Sequence, residues 1–350
     1  ALSSEEGRAL ARAAHIVVAG TEQDALLKDL RARRPELVTM TVSDFGATGS
    51  FSDWRGSNAV LHALSGELSR SGIRGREPLL PPGDLAYQCA SVQAAYALCG
   101  GLYRALRSGR GAHFDFSALE GAVQALDPGF GISGSATLGK PAGLLSRERP
   151  REGFQYPIFS CADGFVRICL LSKRQWRSMF EWLGRPEQFA SPEFDRTSVR
   201  YKSPELLPFI ADFFRERNRA DLEREGQAHG VPIAAMLSLP EFLETDHVRA
   251  RDALKSVSVG QAEVTLPRGV QTIDGARADF DAGEHTPSSF PEASDTCALP
   301  FEGLKVIDLG VIVVGAEQAR MLGDMGADVI KMESRSFPDG NRQSYLDFGM

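Results

Sequence analysis

Short apolar runs alternate with amphipathic stretches along the first third of the chain. Ile16–Ala19 and Leu37–Val42 are β-rich runs, and the stretch around Ala25–Arg33 between them has helical spacing. A helix over Ser4–Ala14 is expected to precede them. Farther on, a Pro81-Pro82-Gly83 turn gives way to a long helix of small residues that begins at Asp84 and stops at Gly109-Arg110-Gly111. His113–Ser117 alternates as a strand, and another helix begins near Ala118. Strands separated by helices predict an α/β layer built on a parallel sheet.

Residues 127–155 are rich in Gly, Pro, Ser and Arg, the composition of a linker. Beyond it Gly164–Leu170 alternates as a strand. Lys173–Leu183 places Trp176, Phe180 and Leu183 at helical spacing, the stripe of a core helix. Helices are expected over Leu206–Phe214 and Ala220–His229, with a stop at Gly230-Val231-Pro232, and a short one over Glu241–Thr245. Residues 287–299 are polar and rich in Ser, Pro and Asp, a second linker. Leu304–Leu309, Ala316–Met325 and Ala327–Met332 then have the spacing of one βαβ unit. The expected organisation is a large domain over 1–126, a linker over 127–155 and a smaller domain over 156–286. A linker over 287–300 and the start of a further large domain over 301–350 complete it.

The 350 residues suffice for two ordinary domains with a sizeable core. Lys and Arg number 39 against 46 Asp and Glu, a net charge of −7 that argues against a nucleic-acid or anionic-membrane surface. A local basic pocket for an anionic ligand is compatible with that balance. No apolar run is long enough to span a bilayer, and the expected location is the cytoplasm. Cys89, Cys99, Cys161, Cys169 and Cys297 form no CxxC pair, so buried free thiols are expected and a metal site is not. The chain starts at Ala1 and stops soon after a βαβ pattern has begun, as expected of a piece of a longer polypeptide.

Several positions carry candidate chemistry. Asp84 at a helix start has two readings: it caps backbone N–H groups, or it faces a cleft as a reactive carboxylate. Asp44-Phe45-Gly46-Ala47-Thr48-Gly49 follows a strand and has the glycine spacing of a turn. His285, in a polar loop flanked by proline, is given no catalytic role. The loop from Gly310 to Gly315 lacks the GxGxxG spacing, so dinucleotide binding at this βαβ has weak support despite Glu333 at the end of its second strand.

The order Gly83-Asp84, Ala-rich helix, Gly109-Arg110-Gly111 turn and His113-x-Asp115-x-Ser117 strand resembles the family III CoA-transferases. The loop at 44–49 resembles a Gly-Phe-Gly-x-Thr-Gly loop of that family, with Asp44 in place of the first glycine. Gly283-Glu284-His285-Thr286 resembles the end of the family's catalytic unit. Gly303–Leu309, Gly326–Glu333 and Asp339–Arg342 resemble its beginning, so the resemblance implies two tandem copies, most of one and the first part of another. It also implies a Rossmann-like large domain with a parallel sheet plus a smaller α/β domain, interlocked between copies as a pseudo-dimer or between chains as a homodimer. The implied activity moves CoA between an acyl-CoA and a carboxylic acid through an aspartyl-CoA thioester on Asp84. CoA and acyl-CoA are then substrates, and no cofactor is held permanently. Lys28, Arg55 and Arg342 match basic positions that contact CoA.

The chain departs from the family pattern at several points. Gly20-Thr21-Glu22-Gln23-Asp24 replaces an Asn-Phe-x-Pro-Gly turn, and its two acids would oppose a phosphate. Asn58 stands where the family has an acid, Ala316 where it has a proline, and Ser57 where its racemases have a histidine. The loss of that histidine weighs against the first alternative, an acyl-CoA racemase or epimerase, which needs an acid and a base flanking the α-carbon. The second alternative is a non-catalytic copy that completes the cleft of its tandem partner.

Overall fold

The computed structural model describes residues 4–126, 158–277 and 299–335 apart from positions 70, 74, 171, 270 and 311, together with 279, 292 and 339. Both expected linkers lie almost wholly outside the described residues, as do His285, Cys297 and Arg342. The chain divides into two compact units, Ala1–Glu152 with Pro287–Met350, and Gly153–Thr286.

In the first unit, α1 (Glu5–Ala13) starts at Ser4, whose hydroxyl accepts from the N–H of Gly7 while Glu5 and Glu6 face the positive end of the helix. β1 (Ile16–Gly20), β2 (Val38–Ser43) and β3 (His113–Ser117) form a parallel sheet in that order. α2 (Asp24–Arg33) lies between β1 and β2 in the chain. α3 (Asn58–Leu64) and α4 (Leu85–Ser108) lie between β2 and β3, and α5 (Ala118–Leu126) follows β3 directly. Leu27, Leu30 and Leu37 are buried with Val17 on one side of this unit, and Phe45, Leu61, Ala86, Ala90, Ala118 and Ala122 form a second cluster.

Small residues set how closely α4 packs. A Cβ on Gly101 would come within 2.7 Å of the Phe114 ring, and one on Gly121 of α5 within 3.0 Å of the Ala90 Cα. The helix ends at Gly109, which adopts a left-handed φ of 65°. Two residues on, a Cβ at Gly111 would lie 2.1 Å from the carbonyl oxygen of Leu37, so only glycine fits where the chain enters β3.

The segment that the sequence marks as a βαβ unit folds as one. Lys305–Asp308 and Asp328–Lys331 pair in parallel around the helix Ile312–Asp324, which begins four residues earlier than the expected Ala316. It belongs to the same compact unit as α4. The Phe301 ring lies 6.2 Å from that of Tyr96 and 5.6 Å from that of Tyr103. Met325 covers Gly100, and Arg107 donates to the carbonyl of Glu302 at 3.0 Å.

In the second unit, β4 (Ile158–Cys161), β5 (Gly164–Ile168) and β6 (Ile233–Ala235) form an antiparallel sheet in that order. Helices Lys173–Trp182, Leu206–Arg215 and Arg219–Ala228 supply most of its core. Trp176, Met179, Trp182, Ile210, Phe214 and Leu222 are buried together, and the expected Trp176 stripe is core. The short helix runs Leu239–Leu243, two residues before the expected position, because Ser238 and Glu241 form a reciprocal capping box. A hairpin of Leu254–Val259 with Ala262–Pro267 was not expected from the sequence.

The cysteines correct a further expectation. Cys89, Cys99, Cys161 and Cys169 are free, but Cys99 is exposed and the other three are only half-buried. Cys99 lies on the outward face of α4, whose buried positions fall to Ala, Gly and Ser.

Gly111→Ala is expected to destabilise the protein by about 1–3 kcal/mol, because a backbone oxygen cannot rotate out of the way of the added methyl. Thermal or urea melting of the full-length protein checks this.

Candidate active site

The loop after β2 is held by side chains rather than by secondary structure. Ser43 Oγ accepts from the N–H of Gly46 at 2.8 Å, and Gly46 takes a φ of 86° that favours glycine. The N–H of Ala47 reaches both carboxylate oxygens of Asp115 on β3, at 3.0 and 3.1 Å. Asp44 ties three further segments together. Its Oδ2 accepts from the N–H of Gly56 and its Oδ1 from the hydroxyl of Tyr87, each at 2.8 Å. Its carbonyl accepts from the N–H of Leu119 at the start of α5, at 2.9 Å. The loop is thereby fastened to the first turns of both α4 and α5.

Asp84 occupies the N-cap position of α4, yet its carboxylate makes no capping hydrogen bond and is exposed. Asn58 does the capping from another helix. Its Oδ1 accepts from the N–H of Ala86 at 3.0 Å, and its Nδ2 donates to the carbonyl of Gly83 at 2.9 Å. Those two bonds satisfy backbone groups on either side of Asp84, and its carboxylate has no hydrogen-bond partner among the described residues. Tyr87, one turn along α4, is pushed up to about 12, by burial first and then by its bond to Asp44 and the negative charges of Asp44 and Asp84. A carboxylate at this end of a 24-residue helix also sits in the favourable field of the backbone dipoles.

Of the basic residues singled out by sequence, Arg55 lies on the same loop, one residue before Gly56, and is exposed. It makes no hydrogen bond or ion pair with a described residue. Lys28 lies on α2 and pairs with Asp24 across one helical turn at 2.7 Å, its side chain 74% exposed. Asp24 is held below the usual carboxylate range, chiefly by its bond to Lys28, and also accepts from Thr41 at 3.1 Å. The acid that the sequence sets against a phosphate is thus partly neutralised by the lysine proposed to bind one. No described contact joins Lys28 to the Asp84 end of α4. Arg342 lies outside the described residues.

The sequence model of CoA-transferase family III matches residues 2–286 and 301–347. The chain belongs to that family. A probable CoA-transferase of Mycobacterium tuberculosis is 39% identical over 336 residues, which are 92% of this chain and 42% of that protein. A subunit of the succinyl-CoA:(R)-benzylsuccinate CoA-transferase of Thauera aromatica is 26% identical over 236 residues, 64% of this chain and 56% of that subunit. The chain therefore spans about half the length of these two relatives. A CAIB/BAIF family protein from Brucella suis has the same fold, with a TM-score of 0.61 at 21% identity over 84% of this chain and 77% of that one.

In the sequence Asp44 and Asn58 stand out only as departures from the family pattern, Asp115 only as part of the strand motif, and nothing marks Tyr87. Asn58 is a strong capping residue type, but it acts 28 positions away on Ala86, and no local spacing reports such a bond. Ser57 was read as the loss of a racemase histidine, and its hydroxyl caps α3 by accepting from the N–H of Val60 at 3.3 Å.

Two measurements check this geometry. Asn58→Ala is expected to lower stability by about 1 kcal/mol, the ordinary loss for removing a helix cap, in a denaturant titration. Tyr87 has a raised value in the folded chain, so its contribution is complete below the unfolded value of about 10 and is lost as pH rises through about 12. Melting temperature should therefore fall more steeply between about pH 10 and about pH 12 in the wild type than in Tyr87→Phe. Parallel slopes would show that the hydroxyl is not held as described.

Proposed function

We propose that this protein transfers CoA between an acyl-CoA and a carboxylic acid, with Asp84 as the nucleophile. The observation that carries the proposal is a carboxylate at a helix start that is relieved of capping by Asn58. An Asp84 oxygen attacks the thioester carbonyl, the C–S bond breaks, and a mixed anhydride and CoA thiolate result. The thiolate then attacks the Asp84 carbonyl carbon and expels the original acid as its carboxylate, leaving an aspartyl-CoA thioester. An acceptor carboxylate attacks that thioester in turn, and the same two steps in reverse give the new acyl-CoA and free Asp84. Splitting one exchange into such steps is the advantage of covalent catalysis. The N-terminal end of α4 favours the negative charge that builds on the oxygens of the tetrahedral intermediates.

CoA and acyl-CoA enter as substrates, and no permanently bound cofactor is needed. Arg55 supports this reading as an exposed guanidinium on the loop beside α4, and Lys28 and Arg342 are proposed as further contacts to the phosphates of CoA on the strength of the resemblance. The family match at 301–347, following the match at 2–286, supports two tandem copies that pair as a pseudo-dimer. A racemase reading is not favoured, because Ser57 is engaged in capping α3 and offers no base.

Incubating the full-length protein with acyl-CoA is expected to attach CoA to the peptide that contains Asp84, as read by mass spectrometry. Asp84→Asn should abolish both the adduct and transfer, a loss of several orders of magnitude in rate, while melting as the wild type does. Transfer at the wild-type rate by Asp84→Asn would remove this residue as the nucleophile.

A further inference from the structure

Asp44 is a half-buried acid in a seat built for it. Its Oδ2 accepts from the N–H of Gly56 and its Oδ1 from the Tyr87 hydroxyl, each at 2.8 Å. A Cβ at position 56 would lie 2.7 Å from Asp44 Cγ and 2.9 Å from Oδ2, so only glycine lets the loop backbone close on the carboxylate. Both partners are donors and both are neutral, which suits an ionised acid and leaves its charge uncancelled. Among the described residues, no Lys, Arg or His forms an ion pair with Asp44. The chain carries this charge where the loop it resembles has a glycine.

The phenol that holds Asp44 also stands beside Asp84. Tyr87 follows Asp84 by three residues, the spacing of neighbours on a helix surface. Burial, the bond to Asp44 and the charges of both Asp44 and Asp84 act together on its hydroxyl, which is pushed up to about 12. The backbone allows little drift between the two acids. Asn58 bonds to Gly83 and Ala86 around Asp84, and Gly56, two residues before Asn58, donates to Asp44. Two carboxylates thus act on one phenol, one with both oxygens engaged and one exposed. A group that bonds to Asp84 enters the field of Asp44.

We propose that Asp44 is a specificity-determining residue, whose fixed negative charge turns the site against acyl groups that carry a second carboxylate and leaves monocarboxylic acids with a neutral tail as the substrates. This rests on the transferase reading of Asp84 and adds its substrate class. The reacting carboxylate is common to every acid, and its charge is absent from the thioester. A second carboxylate keeps its charge throughout, and it lies only a few bonds from the acyl carbon that meets Asp84. Like charges at such separations in half-solvated protein cost about tenfold in binding.

The test uses the full-length protein with butyryl-CoA and succinyl-CoA, which have the same chain length and differ in a methyl against a carboxylate. Binding is read by calorimetry and transfer by kcat/KM. Butyryl-CoA is expected to lead on both readouts by about tenfold, and added salt should shrink its lead. Asp44→Asn removes the charge at nearly the same shape and should shrink the ratio by about tenfold. Tyr87→Phe removes the phenol and keeps the charge, so its ratio should stay at the wild-type value or above. A loosened loop would move both variants alike, whereas the charge moves only Asp44→Asn. An unchanged ratio in Asp44→Asn, or an equal fall in both variants, would overturn the assignment. A wild type that binds both thioesters equally, or prefers succinyl-CoA because Arg55 receives the second carboxylate, would overturn it too. An adduct on Asp84 without that preference would remove the selector and keep the covalent reading. Preference for butyryl-CoA in binding, with no CoA adduct on wild-type Asp84, would keep the selector and remove the covalent reading. Binding of neither thioester would overturn both.

Discussion

The side-chain amide of Asn58 is the contact on which the candidate site depends. An amide presents a donor and an acceptor together, and here they meet Gly83 O and Ala86 N–H on either side of Asp84. An aspartate in its place would accept from Ala86 but would have no hydrogen for Gly83, and it would add a second negative charge beside Asp84. An alanine would return the capping task to Asp84, the nearest oxygen able to take it. The neutral amide thus takes over the capping role open to an acid at a helix start, and leaves the acid at 84 available for the proposed chemistry.

That arrangement holds because the segments on both sides of it are fixed. Asp44 joins Gly56, Tyr87 and Leu119, and Asp115 holds Ala47, so one loop is bonded to α4, α5 and β3. Both carboxylate oxygens of Asp44 are engaged in holding the loop, one by a backbone N–H and one by a phenol. Aspartate at 44 departs from the family's glycine, and the departure is matched by a phenol at 87 to receive it. The bond spans 43 positions, so neither residue signals it when read alone.

Much of the first unit is legible in the sequence. His113–Ser117 is a strand with the expected bounds, and β1, β2, α2 and α4 fall within about a residue of theirs, because their apolar periods are regular and their ends carry glycine or caps. Asp84 is legible by its place after Pro81-Pro82-Gly83, and its freedom from capping is not. That freedom comes from Asn58, whose bond spans residues that only the fold brings together. The hairpin at 254–267 was missed although Val257, Val259, Val264 and Leu266 alternate around Gly260, which takes a left-handed φ of 64°. Both its faces are largely exposed, so the period of two carries weak contrast. The exposure of Cys99 is hidden from the sequence for another reason, since small residues on both faces of α4 give no clear buried side to assign by pattern.

α4 connects the candidate site to the rest of its unit, and its composition explains how one helix serves both. Toward its C-terminal half, glycines at 100 and 101 admit Met325 on one side and Phe114 with Val38 on the other. Tyr96 and Tyr103 flank Phe301 there, so the βαβ segment at 305–331 is anchored on the same helix that begins at Asp84. Close packing of this kind resists small displacements, because a backbone in contact on two sides cannot shift without overlap. The last turns of α4 are therefore held by shape, and the first turn by Asn58 and Asp44. Between them they fix the position of Asp84 with no bond from a described residue to its own carboxylate, and the proposed nucleophile needs both that fixed position and that unbonded oxygen.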